Sequence, residues 1–393
     1  MPKVLAGSLP LNGLFAIAKP SGPTSMSILD RLKPLLARSR LLVDQEENEK
    51  MPAEKRKKNR YKKGRVSRPS DRPKLGQGGT LDPLADGVLV LGVNKGTKLL
   101  GQFLECTKEY RTTALLGCET DSYDSNGARV HLLPYSHITR EDVENILDKF
   151  RGEIRQMPPV FSALKMDGKP LYEYARENKP LPRPIEARSC VVHELVLESW
   201  VPAAKSPDDT TGHHFKWPEK ELTEEQRASM KRVKELVLKA EADAHPTEQQ
   251  PAVVNALRQS TPPATVVDQT NAQGPPAFVL RMSVSSGTYV RSIVHDIGLA
   301  LGSAAHVVTL TRTRQGKYNL ATASTHSTLE SQSDPAPIEV GRPELMDGNC
   351  IKWEVFERAL QRAKNQDDET TESNGEEWEE WEQAIIQSWS ENR

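Results

Sequence analysis

Cysteine, aromatic side chains and long apolar runs are all scarce in this chain. Its four cysteines, Cys106, Cys118, Cys190 and Cys350, contain no CxxC pair. That excludes a disulfide framework and zinc-finger spacing, so no metal site is expected and the setting reads as intracellular. Aromatics make up 5% and hydrophobic residues 36% of 393 residues, too few for a chain packed along its whole length. No apolar run approaches the roughly 20 residues of a membrane helix, so no membrane partner is expected. The N-terminus, MPKVLAGSLPLNG, has neither an apolar core of signal-peptide length nor the Arg/Ser richness of an obvious mitochondrial presequence.

Net charge is also nearly absent, at −1, but the total hides two blocks. From Lys50 to Lys74 twelve basic residues face two acids, and from Asp367 to Arg393 ten acids face one base. A near-neutral sum therefore does not exclude a polyanionic partner. The basic block has no apolar periodicity and reads as a flexible insertion over 41–72. Residues 201–276, rich in Pro, Thr, Gln and Ala, read as a second insertion, more linker than domain. One helix is expected inside it, capped by Thr223 and Gln226, with Met230, Val233 and Leu236 as its stripe.

Between the insertions the pattern is ordered. LFAIA reads as a buried strand, and KPSGPTS (Lys19–Ser25) as a turn with Thr24 or Ser25 as a helix N-cap. Met26, Leu29, Leu32 and Leu36 then recur at helical spacing. YRTTALLG and SCVVHELVLESW read as strands. TREDVENILDKF reads as a helix with a capping box, Thr139 with Asp142. AFVLRMSVSSGTYVRSIVHDIGLALG reads as strand, turn and helix, with Val290, Ile293, Val294, Ile297 and Leu301 on the apolar face. AHVVTLTRTRQG is a further strand. In the acidic tail Trp378, Trp381, Ile385 and Trp389 fit one face of a helix that packs on its own body, or alternatively anchors in a partner's groove.

The densest stretch is LGQGGTLDPLADGVLVLGVNKGTKLL, Leu75–Leu100, with six glycines and two aspartates. It is neither GxGxxG nor a P-loop, which leaves a dinucleotide site unsupported. Alone it reads as a tight turn with Asp82 as a turn residue. Four other segments change that reading: Lys19–Ser25, Gly87-Val88-Leu89, Lys108-Glu109-Tyr110-Arg111 and Ser286–Arg291. With Gly78–Ala85 they occur in an order that resembles the TruB family of tRNA pseudouridine-55 synthases, as does PPVFSALKMDGKPLYEYAR, Pro158–Arg176. The resemblance covers most of 14–36, 75–200 and 277–320, and the insertions and tail look like a fungal elaboration.

The resemblance implies an α+β pseudouridine-synthase fold, a mixed, largely antiparallel sheet flanked by helices and loops with two insertions. It implies a discontinuous catalytic domain over 1–40, 73–200 and 277–330, followed by an extension over 331–393. The implied substrate is tRNA, at uridine 55 of the T-arm, isomerised without cofactor or metal by a protein expected to be monomeric. By the same resemblance Asp82 is the catalytic carboxylate, Arg291 its arginine partner and Tyr110 the ring that stacks on the flipped base. Lys19 and Pro20 shape the pocket floor, Lys98 and Arg314 meet phosphates, and Gln77 stands where the family commonly has a histidine that helps enter the tRNA loop. Arg291 sits just inside a helix N-terminus, where the dipole disfavours a cation, so a specific partner is implied. Rival readings are a tRNA-folding chaperone without catalysis, disfavoured by the intact Asp82, Tyr110 and Arg291, and a synthase guided by small nucleolar RNA. KRKK, Lys55–Lys58, suggests nuclear import, with mitochondrial tRNA a further expectation.

If the basic block meets phosphates, deleting residues 50–74 flattens the salt dependence of tRNA binding. The log–log slope falls by roughly 0.7–0.9 for each phosphate no longer neutralised. Turnover at saturating tRNA survives. Filter binding across a salt series checks this, and an unchanged slope makes the block a merely solvated one.

Overall fold

The computed structural model describes residues 9–43, 73–177, 181–183, 185–228, 231, 274–322, 345–346, 348–365 and 378–391. The basic block up to Arg72, the expected stripe Met230, Val233 and Leu236, and the acidic run Asp367–Glu377 lie outside them. The chain divides into two compact units. The first comprises Met1–Cys106, Thr313–Ser324 and Leu345–Arg393, the second Thr107–Arg312 and Thr325–Glu344. Along the chain run β1 (Gly13–Lys19), α1 (Ser25–Ala37), β2 (Leu75–Gln77), β3 (Asp86–Val93), β4 (Lys108–Leu116), β5 (Cys118–Thr120) and β6 (Arg129–Leu132).

In the first unit β1 pairs antiparallel with β3 and parallel with the short strand Ile351–Lys352, while β2 pairs with β3. β1 is buried on both faces, which is why GLFAIAK reads as an unbroken apolar run rather than an alternating one. Leu14, Ala16 and Ala18 pack with Val88, Val90, Phe103 and Tyr318. On the other side Phe15 stacks near Phe356 of the helix Trp353–Asn365. Helix α1 begins at Thr24, whose hydroxyl accepts from the Ser27 amide at 3.0 Å. Its buried face is Ile28, Leu29, Leu32, Leu35 and Leu36, and Met26 is 52% exposed. The expected stripe therefore does not include Met26: at 100° per residue it falls away from the arc shared by Ser25, Ile28, Leu29, Leu32, Leu35 and Leu36.

Two further expectations change here. Order does not fade after Arg40, since Leu41, Leu42 and Val43 are core residues and the Leu41 carbonyl accepts from the Leu11 amide. Of the two readings of the tail, packing on its own body holds. In the helix Glu380–Glu391, Trp381, Ile385 and Ile386 are buried. The buried Glu382 carboxylate accepts from the Ser39 hydroxyl and from the Glu379 amide, and the Arg40 guanidinium lies 4.6 Å over the Trp378 ring.

The second unit is built on antiparallel strands in the order Ala305–Gln315 (its residues up to Arg312), β4, Ala277–Val284, Arg188–Val201 and Gly152–Gln156. The helix Val290–Ala300 buries the expected apolar residues Val290, Ile293, Val294 and Ile297, but its other face is not solvated. Arg291, Ser292, His295 and Asp296 are buried along with its apolar residues. The capping box of Thr139 and Asp142 forms as expected, and so does that of Thr223 with Gln226. Residues just after Val201 are not linker. Trp217 donates to the Leu116 carbonyl, and Phe215 and Trp217 cover Leu115, Ala277 and Val308. The Pro- and Thr-rich composition concealed a strap whose few aromatics do the packing.

His306 is fully buried, and its Nδ1–H donates to the Cys118 carbonyl at 3.0 Å. Burial pushes its imidazole down from 6.5 to about 4, because a second proton would sit on a nitrogen with no hydrogen-bond acceptor. The folded ring stays neutral while the unfolded one charges near 6.5. Its contribution is thus fully present above pH 6.5 and lost as pH falls towards 4, about 3 kcal/mol in all. Urea unfolding at pH 7 and 4.5 should lose this component in His306→Asn, which keeps one donor. Equal pH slopes in variant and wild type would contradict it.

Candidate active site

KPSGPTS lies against the loop GTLDPLA in the first unit, and the side chains of Lys19, Ser21 and Ser25 and the Gly22 amide are bonded to loop backbone. The Lys19 side chain is fully buried, and its ammonium donates to the carbonyls of Ala85 (2.6 Å), Pro20 (2.9 Å) and Asp82 (3.3 Å). Ser21 Oγ donates to the Leu84 carbonyl at 2.7 Å, and the Gly22 amide to that of Pro83 at 2.8 Å. Ser25 was one of two candidate caps. Thr24 takes that role, and the Ser25 hydroxyl instead serves Leu81 twice, donating to its carbonyl at 3.0 Å and accepting from its amide at 2.9 Å. An ammonium beside carbonyl oxygens gives charge-assisted bonds, stronger than neutral ones. The loop backbone, which forms no strand, is satisfied this way instead.

The other end of the loop is held by Gln315, fully buried, whose amide donates to the carbonyls of Gly78 (2.5 Å) and Phe103 (2.9 Å). Two glycines are required there. A Cβ on Gly78 would meet the Phe103 Cβ at 2.8 Å, and Gly79 has φ +132°. The outcome is an Asp82 with its backbone fastened on both sides and its side chain part-buried. Gln77, one residue before the turn, donates from Nε2 to Thr80 Oγ1 at 3.2 Å. Pro20 is part-buried, while Lys98 and Arg314 are exposed, Arg314 Nε donating to the Gly316 carbonyl at 3.0 Å.

Tyr110 and Arg291 belong to the second unit. Tyr110 lies in β4 opposite Met282 and is 8% exposed. Arg291, 3% exposed, is not the solvated surface residue its position on a polar helix face could have made it. Its guanidinium donates to the carbonyls of Ser122 (2.5 Å) and Phe161 (2.8 Å), with Nε 3.8 Å from the Asp124 carboxylate. Asp124 is in turn held by the Ser122 hydroxyl at 2.7 Å and the Asn126 amide at 3.0 Å. Sequence reading took ETDSYDSNG for turn chemistry only and missed Asp124. The sole signal for it was a buried-partner requirement at Arg291.

Residues 67–211 match the family model described as TruB family pseudouridylate synthase (N terminal domain), and 291–335 match that of the tRNA pseudouridylate synthase B C-terminal domain. The chain is 40% identical over 333 residues to tRNA pseudouridine synthase 4 of Schizosaccharomyces pombe, covering 78% of this chain and 79% of that one. It belongs to the TruB family of pseudouridylate synthases. It is also 34% identical to tRNA pseudouridine synthase 4 of Saccharomyces cerevisiae, over 79% of this chain and 78% of that one. With tRNA pseudouridine synthase B of Bordetella avium the identity is 31%, over 72% of this chain and 86% of the relative.

In this TruB chain Lys19 is part of the frame of a loop. With its side chain buried on carbonyls, it acts on the backbone that carries Asp82. Lys19→Met keeps most of the apolar stem and removes the donor, leaving three carbonyls short of a bond. It should cost about 3 kcal/mol of stability, since bonds to charged donors contribute roughly 1.5–3 kcal/mol each and part of the loss is recovered by water. Urea unfolding measures this, and a loss below about 0.5 kcal/mol, the range of an ordinary surface substitution, would show that the ammonium does not hold the loop.

Proposed function

We propose that this chain is a standalone tRNA pseudouridine synthase that isomerises uridine 55 in the T-loop. The observation that carries the reading is the fastening of the Asp82 loop by the KPSGPTS turn, because isomerisation needs a carboxylate whose position does not drift while the base is detached. The tRNA substrate is supported by the names of the fungal and bacterial relatives, and position 55 by the motif order that resembles the family. The target uridine leaves the stack, the usual strategy for chemistry on a paired or stacked nucleotide. Asp82 promotes cleavage of the glycosidic bond, the base turns over, and it rejoins the sugar through carbon 5.

Tyr110 gives the extruded base an aromatic face, an interaction on the order of 1–3 kcal/mol. Arg291 supplies a guanidinium that favours ionised carboxylate. Water has to be kept out, since it would capture the detached intermediate and leave an abasic site. Gln77 serves as a neutral hydrogen-bonding contact to the T-arm, because an amide has no titration near neutral pH and cannot be a general base. Lys98 and Arg314, both exposed, meet phosphates. The protein works as a monomer, in the nucleus and on mitochondrial tRNA.

Asp82→Asn keeps the shape and removes the charge. Single-turnover assays on a T-arm stem-loop should show no pseudouridine, with RNA affinity within about threefold, or under 1 kcal/mol. A modification map of tRNA from cells lacking the protein should lose the mark at uridine 55. Full activity in purified Asp82→Asn, or an intact mark at 55, would overturn the proposal.

A further inference from the structure

The second unit contains a buried polar cluster that the reaction outlined above does not use. His295 follows Arg291 by four residues on the helix Val290–Ala300, so the two side chains share one face. The His295 ring is 2% exposed, with Nδ1 2.9 Å from the Asp296 carboxylate and Nε2 3.4 Å from that of Glu119 on β5. Glu119 also lies 3.2 Å from His131 Nδ1 on β6. Burial works against a charged imidazole, but the hydrogen bonds to Asp296 and Glu119 outweigh it and raise the His295 pKa. The ring of Tyr123 stacks on His295, with centroids 3.9 Å apart and planes 22° apart.

Tyr123 has φ +62°, a left-handed conformation that an aromatic residue adopts only when its surroundings impose it. Its two chain neighbours are among the groups that hold Arg291: the Ser122 carbonyl and the Asp124 carboxylate, beside the Phe161 carbonyl. The turn thus straddles one helical turn, with 122 and 124 on Arg291 and 123 on His295. The Tyr123 amide and carbonyl are fixed as well, to the Thr120 carbonyl and the Val307 amide. What holds the strained residue down on the helix is the stack.

We infer that Tyr123 and His295 are positioning residues for Arg291: their stack, anchored by Glu119 and Asp296, clamps the turn 122–124 against the helix and so sets the direction of the Arg291 guanidinium. The inference rests on the proposed function for its catalytic consequence, namely that Arg291 serves the uridine site. The clamp itself is a property of the folded second unit and is measurable without RNA.

Two experiments test it. In the first, single-turnover rates at saturating stem-loop RNA and Kd are measured for Tyr123→Leu, His295→Leu and Tyr123→Phe. The two leucine variants should slow the reaction on the order of tenfold or more, with Kd moved less than about threefold, as misplacement of a reacting group does. Tyr123→Phe, which keeps the ring, should stay near wild type. In an Arg291→Lys background Tyr123→Leu should add almost nothing, because residues acting through one another are not additive. Equal slowing by Tyr123→Leu in both backgrounds would overturn the inference, since a general loss of packing acts whichever side chain stands at 291.

The second experiment follows the Arg291 Nε–H by NMR of arginine-labelled protein, assigned by its disappearance in Arg291→Lys. Its exchange with solvent should quicken about tenfold or more in folded Tyr123→Leu and His295→Leu, and hold in Tyr123→Phe. Unchanged exchange in both leucine variants would overturn the clamp. If the wild-type protein forms no pseudouridine at all, the proposed function fails, and the exchange measurement still decides the clamp.

Discussion

A buried ammonium that finds its acceptors in loop backbone is the interaction on which the first unit's chemistry depends. Lys19 lies at the end of a strand buried on both faces, where a charge needs hydrogen-bond acceptors. The carbonyls of Pro20, Asp82 and Ala85 are its solvent. This arrangement runs both ways. The loop needs donors because it makes no ladder, and the lysine needs acceptors because it is buried. Ser21, Gly22 and Ser25 extend the same exchange along the loop, so the turn and the loop are one structure made from two segments more than fifty residues apart in sequence. Asp82 inherits its position from that backbone.

The second unit uses a different device for the same purpose. Arg291 is buried near the N-terminus of a helix whose dipole disfavours it, and it is stabilised by a carbonyl and a carboxylate from one tight turn, Ser122 and Asp124, and by the Phe161 carbonyl. A strained tyrosine and a doubly hydrogen-bonded histidine hold that turn in place. In both units a charged side chain is kept in a fixed direction by hydrogen bonds to backbone carbonyls. Preorganisation of this kind suits a reaction in which the base is released and recaptured without leaving.

Much of this was legible in the residues. The strands, the helix caps at Thr24 and Thr139 and the ordered motifs around Asp82, Tyr110 and Arg291 carry local signals: apolar runs, hydroxyl caps and glycine-rich turns. What stayed hidden depends on partners distant in sequence. Ser25 looks like a cap because serine beside a helix start usually is one, and only its opposition to Leu81 gives it the other role. Lys19 is singled out only by its place in the KPSGPTS motif, and nothing beside it in sequence marks the carbonyls of Asp82 and Ala85 as its acceptors. Gln315 sits at the end of a basic strand with nothing nearby to mark it. Leu41–Val43 and Trp217 fell inside segments whose composition is polar, and a few well-placed apolar side chains were enough to dock them. Arg291 was partly readable, since a cation at a helix N-terminus demands a partner, but the identity of Asp124 was not.

The central claim is that the KPSGPTS turn holds the Asp82 loop, and amide hydrogen exchange at Leu81 tests it most directly. The Leu81 amide is not in a ladder and donates to Ser25 Oγ at 2.9 Å. The account predicts that it exchanges as slowly as amides of β3, and that Ser25→Ala speeds it by about a hundredfold or more while the exchange of β1 and β3 amides holds. Fast exchange at Leu81 in the wild-type protein, or slow exchange that Ser25→Ala leaves untouched, would contradict it.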